Sequence, residues 1–321
     1  MISWRIIQKQ NFTKWKELFS FLQLDEKYQT QILQSPRFPL NFPRRLAEKV
    51  EKNFFEDPIL RQFLPTIQEN EIRPGFFQDP VADETFRKRP KLLQKYSGRA
   101  LLLATSACAM NCRFCFRQNF NYEIEEKGFE EELQAIADDP NLSEIILSGG
   151  DPLSLSDAAL DSLITALAQI PHVKRLRFHT RFPIGIPERI DNTFLEILAK
   201  TRLQIVFVIH CNHPRELDED VLSALKKIQR LGIPMLNSSV LLKGVNDNAD
   251  VLKILCEKLA DNGILPYYLH QLDPVQGAAH FEVAKPKGVE IIKTLRKQLS
   301  GYALPQYMQE IPGEAAKTPL S

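Results

Sequence analysis

Residues 108–120 read CAMNCRFCFRQNF and come two residues after the short apolar run ALLLAT at residues 100–105. This segment holds three of the five cysteines of the chain, Cys108, Cys112 and Cys115, at the spacing C-x3-C-x2-C. A structural zinc site takes four ligands, and no fourth cysteine or histidine follows nearby. Three thiolates on a four-iron cluster leave one iron without a protein ligand, and that iron can bind a substrate or cofactor. The spacing favours an iron–sulfur site, with buried apolar cysteines or a three-ligand zinc site as alternatives.

From about residue 99 onward, short apolar runs alternate with longer amphipathic segments. Two of these segments carry helix signals, with Ser156 as an N-cap of one and Gly232 at the C-terminal stop of another. Six strand–helix units in series predict a parallel sheet with crossover helices. Six units are too few for a closed eight-fold barrel, so we expect an α/β fold that forms an open, partial TIM-like (β/α)6 barrel. Its ligands, and the cysteine segment, belong at the C-terminal ends of the strands. The six runs are residues 100–105, 144–148, 175–180, 204–209, 234–240 and 265–269.

The pattern of apolar and polar residues divides the chain into three parts. Residues 1–98 predict a mostly helical cap, because residues 12–24 and 41–53 have helical periodicity. Residues 99–299 form the predicted barrel core, and residues 300–321 form a C-terminal tail that we expect to fold over the active site.

Composition excludes several classes of function. Lys and Arg number 41 against 40 Asp and Glu, which leaves a net charge of +1 and no electrostatic signature for nucleic acid or an anionic membrane. No apolar run is long enough to span a bilayer, and the first residues do not resemble a signal peptide. An odd, clustered set of cysteines is typical of a reducing compartment, so we expect a cytoplasmic location.

A second motif, LSGGDPL at residues 147–153, ends the second predicted strand. Taken alone it is an ordinary strand-to-loop turn, because glycine pairs are common in loops. Together with the cysteine spacing it resembles the radical S-adenosylmethionine (SAM) superfamily, in which a glycine-rich segment here lines the SAM amino group. That resemblance implies SAM contacts at Ser148, Gly149, Gly150 and Asp151.

The last residues, YMQEIPGEAAKTPLS at 307–321, contain a lone lysine, Lys317. Such a lysine is usually a solvated tail residue. Pro312 and Gly313 make a turn and Pro319 keeps the chain extended, so the tail looks docked. In a pocket, desolvation favours the neutral amine that can attack a carbonyl carbon.

Five segments together resemble the lysine 2,3-aminomutase family: YSGRALLLATSACAMNCRFCFR, ILSGGDPL, SVLLKGVNDN, PYYLHQLDPVQGAAHF and GEAAKTPL. The segment VQGAAHF and a chain that stops just after KTPL resemble most the short bacterial branch that acts with elongation factor P (EF-P). The longer enzymes of free-lysine metabolism continue into a further segment, so we expect the short type.

The resemblance implies three cofactors and a set of residues for each. Cys108, Cys112 and Cys115 would ligate a 4Fe–4S cluster, and Lys317 would carry pyridoxal 5′-phosphate (PLP). Arg99, with Lys95 as the weaker candidate, would contact the PLP phosphate. Further cofactor contacts would come from Asn237, Ser238 and His210.

The substrate contacts implied by the resemblance have opposite charges. Arg117 would pair with the substrate carboxylate, which suits a planar guanidinium. Asp273 and Glu310 would face the distal ammonium of lysine. Glu310 stands where the free-lysine enzymes have an aspartate, and Ser238 stands where family members have a glutamine.

The implied reaction converts L-α-lysine to (R)-β-lysine, with the cluster reduced by an external electron donor such as flavodoxin or ferredoxin. The expected partners are lysine, free or linked to EF-P, and functionally EF-P and its lysine ligase. One alternative is a free-lysine 2,3-aminomutase of metabolism or osmolyte synthesis. Another is a structural or nucleic-acid-binding Fe–S protein, which the near-zero charge and the terminal lysine motif disfavour.

Overall fold

The computed structural model describes residues 2–122 and 128–321, and the strands in this part of the chain form a ten-stranded sheet in chain order. Strands β3 to β9 are parallel, whereas β1, β2 and β3 pair antiparallel, as do β9 and β10. The sheet is therefore open, with β1 and β10 at its edges. The strands are β1 (Arg87–Arg89), β2 (Leu92–Tyr96), β3 (Arg99–Thr105), β4 (Glu144–Gly149), β5 (Arg175–Thr180), β6 (Gln204–Ile209), β7 (Met235–Val240), β8 (Leu265–His270), β9 (Gln306–Gln309) and β10 (Thr318–Pro319).

The six predicted parallel strands are confirmed as β3 to β8. Three further parts of the sheet were not predicted: the β1–β2 hairpin, which lies inside the predicted cap, the parallel strand β9, and its short antiparallel partner β10. Strand β1 is the charged tripeptide RKR and β9 is only four residues long, so neither carries an apolar run that a sequence pattern can detect.

Helices cover the outer side of the sheet. Helix α5 begins after Ser156, whose hydroxyl accepts a hydrogen bond from the amide of Ala159, and Gly232 follows α8 with a φ of 76°, both as predicted. The helices are α1 (Trp4–Gln8), α2 (Trp15–Leu22), α3 (Arg44–Glu48), α4 (Glu130–Asp138), α5 (Asp157–Gln169), α6 (Phe182–Gly185), α7 (Asn192–Lys200), α8 (Glu219–Gln229), α9 (Ala249–Asp261) and α10 (Lys285–Arg296). None of these described helices is long and apolar enough to cross a membrane.

The N-terminal segment packs into the same hydrophobic core as the barrel. Helices α1, α2 and α3 and several short 3-10 turns make up this segment, and α2 falls within the predicted residues 12–24. The helix predicted over residues 41–53 is reduced to the five residues of α3. Pro43 precedes its first turn, and beyond it the amide of Glu51 donates to the side chain of Asp57 instead of continuing a helical ladder.

Strand β5 shows how the fold makes a polar interior. Its alternate residues Leu176 and Phe178 are fully buried, and the Phe178 ring lies 6.4 Å from that of Phe194 on α7. Because neighbouring strand residues point to opposite faces, Arg177 and His179 point to the concave side of the sheet. The barrel interior is therefore lined partly by charged and polar side chains.

Candidate active site

The cysteine segment begins three residues after β3 and is held from behind by the N-terminal segment. The carbonyl of Cys108 accepts hydrogen bonds from Gln8 Nε2 at 3.4 Å and Asn41 Nδ2 at 3.3 Å. Asn11 Nδ2 donates to the carbonyl of Ala109 at 2.7 Å. Cys108, Cys112 and Cys115 are free thiols and are all partly exposed. The cap therefore fixes the backbone of the loop that carries the three thiols.

Arg181 provides a positive charge to this loop. Its Nη1 donates to the Sγ of Cys112 at 2.8 Å, and its Nη2 donates to Gln62 Oε1 and Glu216 Oε2, each at 2.7 Å. Burial raises the pKa of the Cys112 thiol, and Arg181 acts against that rise. Burial likewise raises the pKa of Cys115 to about 11. A cation beside the sulfurs suits a group held by thiolates, since hydrogen bonds to cluster sulfurs are a normal feature of Fe–S sites.

Within the two described ranges, no three Cys, His, Asp or Glu side chains converge closely enough to hold a single metal ion. The thiolates of a four-iron cluster bind three different irons around a cube, so they do not need to converge on one point. Three free thiols in one loop, with a buried arginine donating to one of them, thus fit a 4Fe–4S cluster.

The glycines of LSGGDPL bring two loops into close contact. A Cβ on Gly149 would lie 2.6 Å from the carbonyl oxygen of Thr105, and a Cβ on Gly150 would lie 2.4 Å from that of Ala107. The amide of Gly150 donates to the carbonyl of Thr105 at 2.6 Å. Gly149 also has a φ of 112°, which favours glycine. These glycines therefore dock the end of β4 against the backbone that leads into the cysteine segment.

Asp151 is a buried carboxylate that protein donors satisfy fully. Its Oδ1 accepts from Thr180 Oγ1 at 2.7 Å and from the amide of Leu153 at 3.0 Å. Its Oδ2 accepts from the amides of Arg181 at 2.8 Å and Phe182 at 3.0 Å. Burial raises the pKa of Asp151 to about 6 despite these bonds. The geometry gives Asp151 a structural role in joining the ends of β4 and β5, and leaves no lone pair for the SAM contact that the resemblance implied.

A line of charged side chains crosses the interior from β4 toward the tail. Arg117 Nη1 donates to Ser148 Oγ at 3.2 Å, and its Nε pairs with Asp83 Oδ2 at 2.7 Å. Asp83 Oδ1 pairs in turn with Lys95 Nζ at 2.8 Å. Burial raises the pKa of Asp83, but Arg117 and Lys95 outweigh it and hold the pKa below its usual value. Asp83 and Ser148 thus hold two of the three guanidinium nitrogens of Arg117.

The C-terminal tail is docked, as predicted. Strand β10 pairs antiparallel with β9, and the amide of Leu320 donates to the carbonyl of Tyr307 at 2.9 Å. Lys317 Nζ lies 2.7 Å from Glu310 Oε2, and the hydroxyl of Tyr96 donates to Glu310 Oε1 at 2.6 Å. Burial raises the pKa of Glu310, but Lys317 and the hydrogen bonds outweigh it, so the carboxylate remains ionised. Lys95 Nζ approaches the same carboxylate at 3.9 Å, which connects the tail to Asp83.

Asp273 differs from the other acids of the interior because no side chain in the described ranges donates to it or pairs with it. Burial, the largest cause, raises its pKa to about 7; Glu310 adds to the rise and Lys317 acts against it. Lys317, Glu310 and Lys95 therefore lie close enough to influence this carboxyl group. An unpaired carboxylate beside a second one forms an open acidic pole.

Three neutral imidazoles and two arginines line the interior near Lys317. Burial lowers the pKa of His210 to about 4 and that of His179 and His270 well below the usual value, and Lys317 lowers all three further. Arg99 lies with its Cζ 4.5 Å from the centroid of the Tyr96 ring and forms no ion pair within the described residues. The interior therefore combines uncharged ring nitrogens with cationic donors.

Besides Arg181 Nε at the cysteine segment, the interior nitrogens Arg177 Nε and His179 Nε2 have no hydrogen-bond partner in the described part of the chain. Burial raises the pKa of Tyr268, and Arg177 and Arg99 both act against that rise, which places both cations near this ring. Buried donors without partners are costly, so an anionic, aromatic group with a phosphate would satisfy them. The interior thus fits PLP.

The contacts predicted after β6 and on β7 divide into two kinds. The side chain of Asn237 is fully used: its Oδ1 accepts from the amide of Cys211 at 2.9 Å, and its Nδ2 donates to Ser239 Oγ at 2.9 Å and to the carbonyl of Cys211 at 3.1 Å. His210 Nδ1 lies 3.2 Å from the carbonyl of Ser238, which leaves the other ring nitrogen free. Asn237 therefore ties the ends of β6 and β7 together, whereas His210 is available to a ligand.

Five residues of this site were missed by the sequence analysis. Asp83 and Tyr96 lie in a segment predicted as cap, and Arg181 follows a strand without any motif. Arg177 and His179 carried a signal, since RLRFHT alternates polar and apolar residues, whereas a fully buried parallel strand is apolar throughout.

Comparison with known proteins places these features in a family context. The model of the radical SAM superfamily matches residues 102–255. The L-lysine 2,3-aminomutase of Escherichia coli strain K12 is 45% identical over 309 residues, which is 95% of this chain and 90% of that protein. The enzyme of the same name from Haemophilus influenzae is 42% identical over 98% of this chain and 95% of its own length. That from Clostridium subterminale is 34% identical over 84% of this chain and 66% of its own length.

Solved structures share the fold at much lower identity. Streptococcus suis SuiB bound to the precursor peptide SuiA superposes with a TM-score of 0.50 and 16% identity, covering 68% of this chain and 50% of that chain. SuiB bound to S-adenosylmethionine gives the same TM-score and identity over 68% of this chain and 51% of that chain. These likenesses show the architecture alone.

Proposed function

The chain belongs to the L-lysine 2,3-aminomutase family of the radical SAM superfamily, and from that premise we propose that it makes (R)-β-lysine for the modification of EF-P. It is an isomerase, and its family membership implies a 4Fe–4S cluster, SAM and PLP. The observation that carries the proposal is Asp273, a carboxylate without an ion pair in the described part of the chain that lies near Glu310 and Lys317.

The cysteine segment would hold the cluster. Cys108, Cys112 and Cys115 provide three thiolates, and Arg181 donates to one of them. Cys211 and Cys256 are buried in the hydrophobic core and serve packing. The backbone of Ser148, Gly149 and Gly150, at the end of β4, would contact SAM.

The interior would orient lysine by its two charged ends. Arg117 would pair with the substrate carboxylate, while Asp83 and Ser148 orient its guanidinium. Asp273 and Glu310 would receive the distal ammonium at the other end. The low local dielectric strengthens the attraction between a buried carboxylate and an ammonium. The Arg117 end and the acidic end of the site would therefore select a molecule with lysine's charge spacing.

Lys317 would hold PLP, with Arg99 and Arg177 near the phosphate. When bound, the three cofactors supply a covalent anchor for the substrate α-amino group and a 5′-deoxyadenosyl radical that removes a hydrogen from Cβ. The chain's own part is to fix the substrate between Arg117 and Asp273. The docked tail and β1–β2 hairpin would exclude water and competing hydrogen donors.

The EF-P link is supported by the sequence of residues 275–281, VQGAAHF, and by Glu310. Compared with aspartate, Glu310 adds one methylene group, which shortens the distal pocket and weakens the hold on free lysine. A cytoplasmic flavodoxin or ferredoxin would reduce the cluster. The competing role, β-lysine made as a free metabolite, uses the same site.

The test is anaerobic turnover of L-lysine with SAM, PLP and a reductant, with and without EF-P and its lysine ligase. We expect (R)-β-lysine to form from free lysine and to appear on EF-P as a β-lysyl adduct when the ligase is present. If β-lysine forms at the same rate but never reaches EF-P, the free-metabolite role is correct. Failure to form β-lysine under any condition would refute the aminomutase assignment.

A further inference from the structure

The outer side of α1 combines apolar and basic residues. Ile2 and Ile6 are 64% and 53% exposed, and Arg5 and Lys9 are exposed beside them. Positions 5, 6 and 9 have the spacing that places side chains on one side of a helix, and Ile2 directly precedes the N-cap Ser3. Trp4 is buried, and the Cζ of Arg5 lies 4.4 Å from the centroid of its ring. The exposed side is therefore a continuous surface with an apolar centre.

This surface belongs to a basic part of a nearly neutral chain. Residues 2–53 contain ten Lys and Arg side chains but only five Asp and Glu, whereas the whole chain has 41 and 40. Arg5, Lys9 and the exposed Arg37 have no ion pair within the described ranges, while neighbours such as Lys14 are paired with acids. Three positive charges of the N-terminal segment thus have no ion pair in the described part of the chain.

The same surface lies directly behind the cysteine segment. Gln8, next to Lys9, donates to the carbonyl of Cys108 at 3.4 Å. Phe38, next to Arg37, accepts at 2.7 Å from Nη1 of Arg113, which stands between Cys112 and Cys115. Since a helix is about 10 Å across with its side chains, the outside of α1 is about one helix thickness from the cysteine loop.

We propose that Ile2, Arg5, Ile6, Lys9 and Arg37, here termed the α1 face, form the docking surface for an acidic one-electron carrier protein. The inference rests on the proposed function, because SAM cleavage requires an electron to enter the cluster from outside. The reduced carrier loses one electron and the 4Fe–4S cluster passes from the 2+ to the 1+ state, with no bond formed or broken. An apolar centre with a charged rim is the usual anatomy of a protein interface, and opposite charges on the two faces speed association.

The experiment uses reconstituted enzyme and a recombinant acidic flavodoxin reduced to its hydroquinone. Stopped-flow absorbance measures the rate of cluster reduction, and biolayer interferometry measures flavodoxin affinity. The variants are the double charge reversal Arg5→Glu/Lys9→Glu and the single change Arg37→Glu. The matched control is Lys293→Glu/Lys297→Glu, two exposed basic residues at the end of α10. Dithionite, a small reductant that does not dock, is run in parallel.

We expect Arg5→Glu/Lys9→Glu to slow reduction by flavodoxin about tenfold at low salt and Arg37→Glu to slow it severalfold, with affinity falling in parallel. The difference should shrink at high salt, where charges are screened within a few ångströms. Dithionite-driven reduction should not change.

Variants that match the control in both rate and affinity would overturn the proposal. An Ile6→Asp variant that dissociates a dimer but leaves the rate of cluster reduction by flavodoxin unchanged would also overturn the proposal. In that case a second copy of the chain, and not the carrier, covers the α1 face. Absence of SAM cleavage with dithionite would instead refute the proposed function and leave the docking result to stand by itself.

Discussion

Lys317 Nζ lies 2.7 Å from Glu310 Oε2, so the lysine proposed to hold PLP is paired with a carboxylate proposed to hold the substrate. The two residues sit on opposite arms of the turn that returns β10 to β9. In the PLP-free protein, the chain's own ammonium therefore occupies the acidic pole that lysine requires.

This pairing predicts that removing the ammonium improves lysine binding to the PLP-free protein. In Lys317→Met, Glu310 loses its ion pair and can bind the substrate ammonium together with Asp273. We expect lysine to bind about tenfold more tightly, as measured by calorimetry, because a charge-assisted hydrogen bond contributes about 1.5–3 kcal/mol. The double variant Lys317→Met/Glu310→Gln should lose that gain. Equal affinity in the wild type and Lys317→Met would mean that Glu310 does not contact the substrate.

Asp273 predicts a pH dependence of lysine binding. Its pKa is raised to about 7, mainly by burial, so the carboxylate that attracts an ammonium is fully present only above that pH. We expect lysine affinity to rise as the pH increases through about 7. Asp273→Asn should flatten that rise and weaken binding ten- to hundred-fold at pH 8 while SAM affinity changes little. Equal losses for lysine and SAM would indicate a structural role.

The raised pKa of Asp273 also determines how the stability of the folded protein changes with pH. The native pKa of Asp273 lies above its usual value of 3.8, so the protonated form stabilises the fold and that contribution is lost as the pH rises from about 4 through about 7. Asp273→Asn should therefore raise the Tm at pH 8 and leave it nearly unchanged at pH 4. A lower Tm at pH 8 would show that the charge is compensated in the native protein.

Arg181 predicts a change in the cluster's reduction potential. A hydrogen bond from a cation to Cys112 stabilises the more negative, reduced cluster, so Arg181→Lys should lower the potential, by about 60 mV for a tenfold weaker interaction. Redox titration followed by electron paramagnetic resonance measures it. Arg181→Met should in addition cost about 3–5 kcal/mol in unfolding free energy, because it leaves the buried Glu216 without its partner. An unchanged potential in Arg181→Lys would rule out this tuning role.

Gly150 tests the contact between the two loops. A Cβ at this position would clash with the backbone of Ala107 and Ser106, at 2.4 and 2.7 Å. Gly150→Ala should therefore displace the loops, with about 1–3 kcal/mol lost in stability and lower iron content and SAM affinity. Gly301→Ala, where nothing lies within 4 Å, is the matched control. Wild-type iron content and SAM affinity in Gly150→Ala would contradict the packing argument.

The sequence predicted the parts of the fold that have strong local patterns. Strands β5 and β6 match their predicted bounds because apolar runs end at polar residues such as His210. The hairpin β1–β2 and strand β9 escaped prediction because their place in the sheet comes from pairing with β3 and β8 and not from their own composition. Short strands with charged residues carry no periodic signal.

The residues of the candidate site also fall into those that the sequence identified and those that only the fold reveals. Cys112 could be proposed from the cysteine spacing and Lys317 from the family resemblance, whereas the roles of Asp83 and Arg181 become visible only when the fold brings distant segments together. Asp151 shows the opposite case. Its motif implied a cofactor contact, but four protein donors use both of its oxygens, a fact that only three-dimensional structure reveals.

The most direct measurement of the central claim is the location of bound PLP. The reconstituted protein is treated with borohydride, which fixes PLP to the amine that holds it, and is then digested and mapped by mass spectrometry. The account predicts a pyridoxyl group on Lys317, absent from Lys317→Ala, while that variant keeps its cluster and its SAM binding. A pyridoxyl group on Lys95 or any other lysine, or full aminomutase activity in Lys317→Ala, would contradict it.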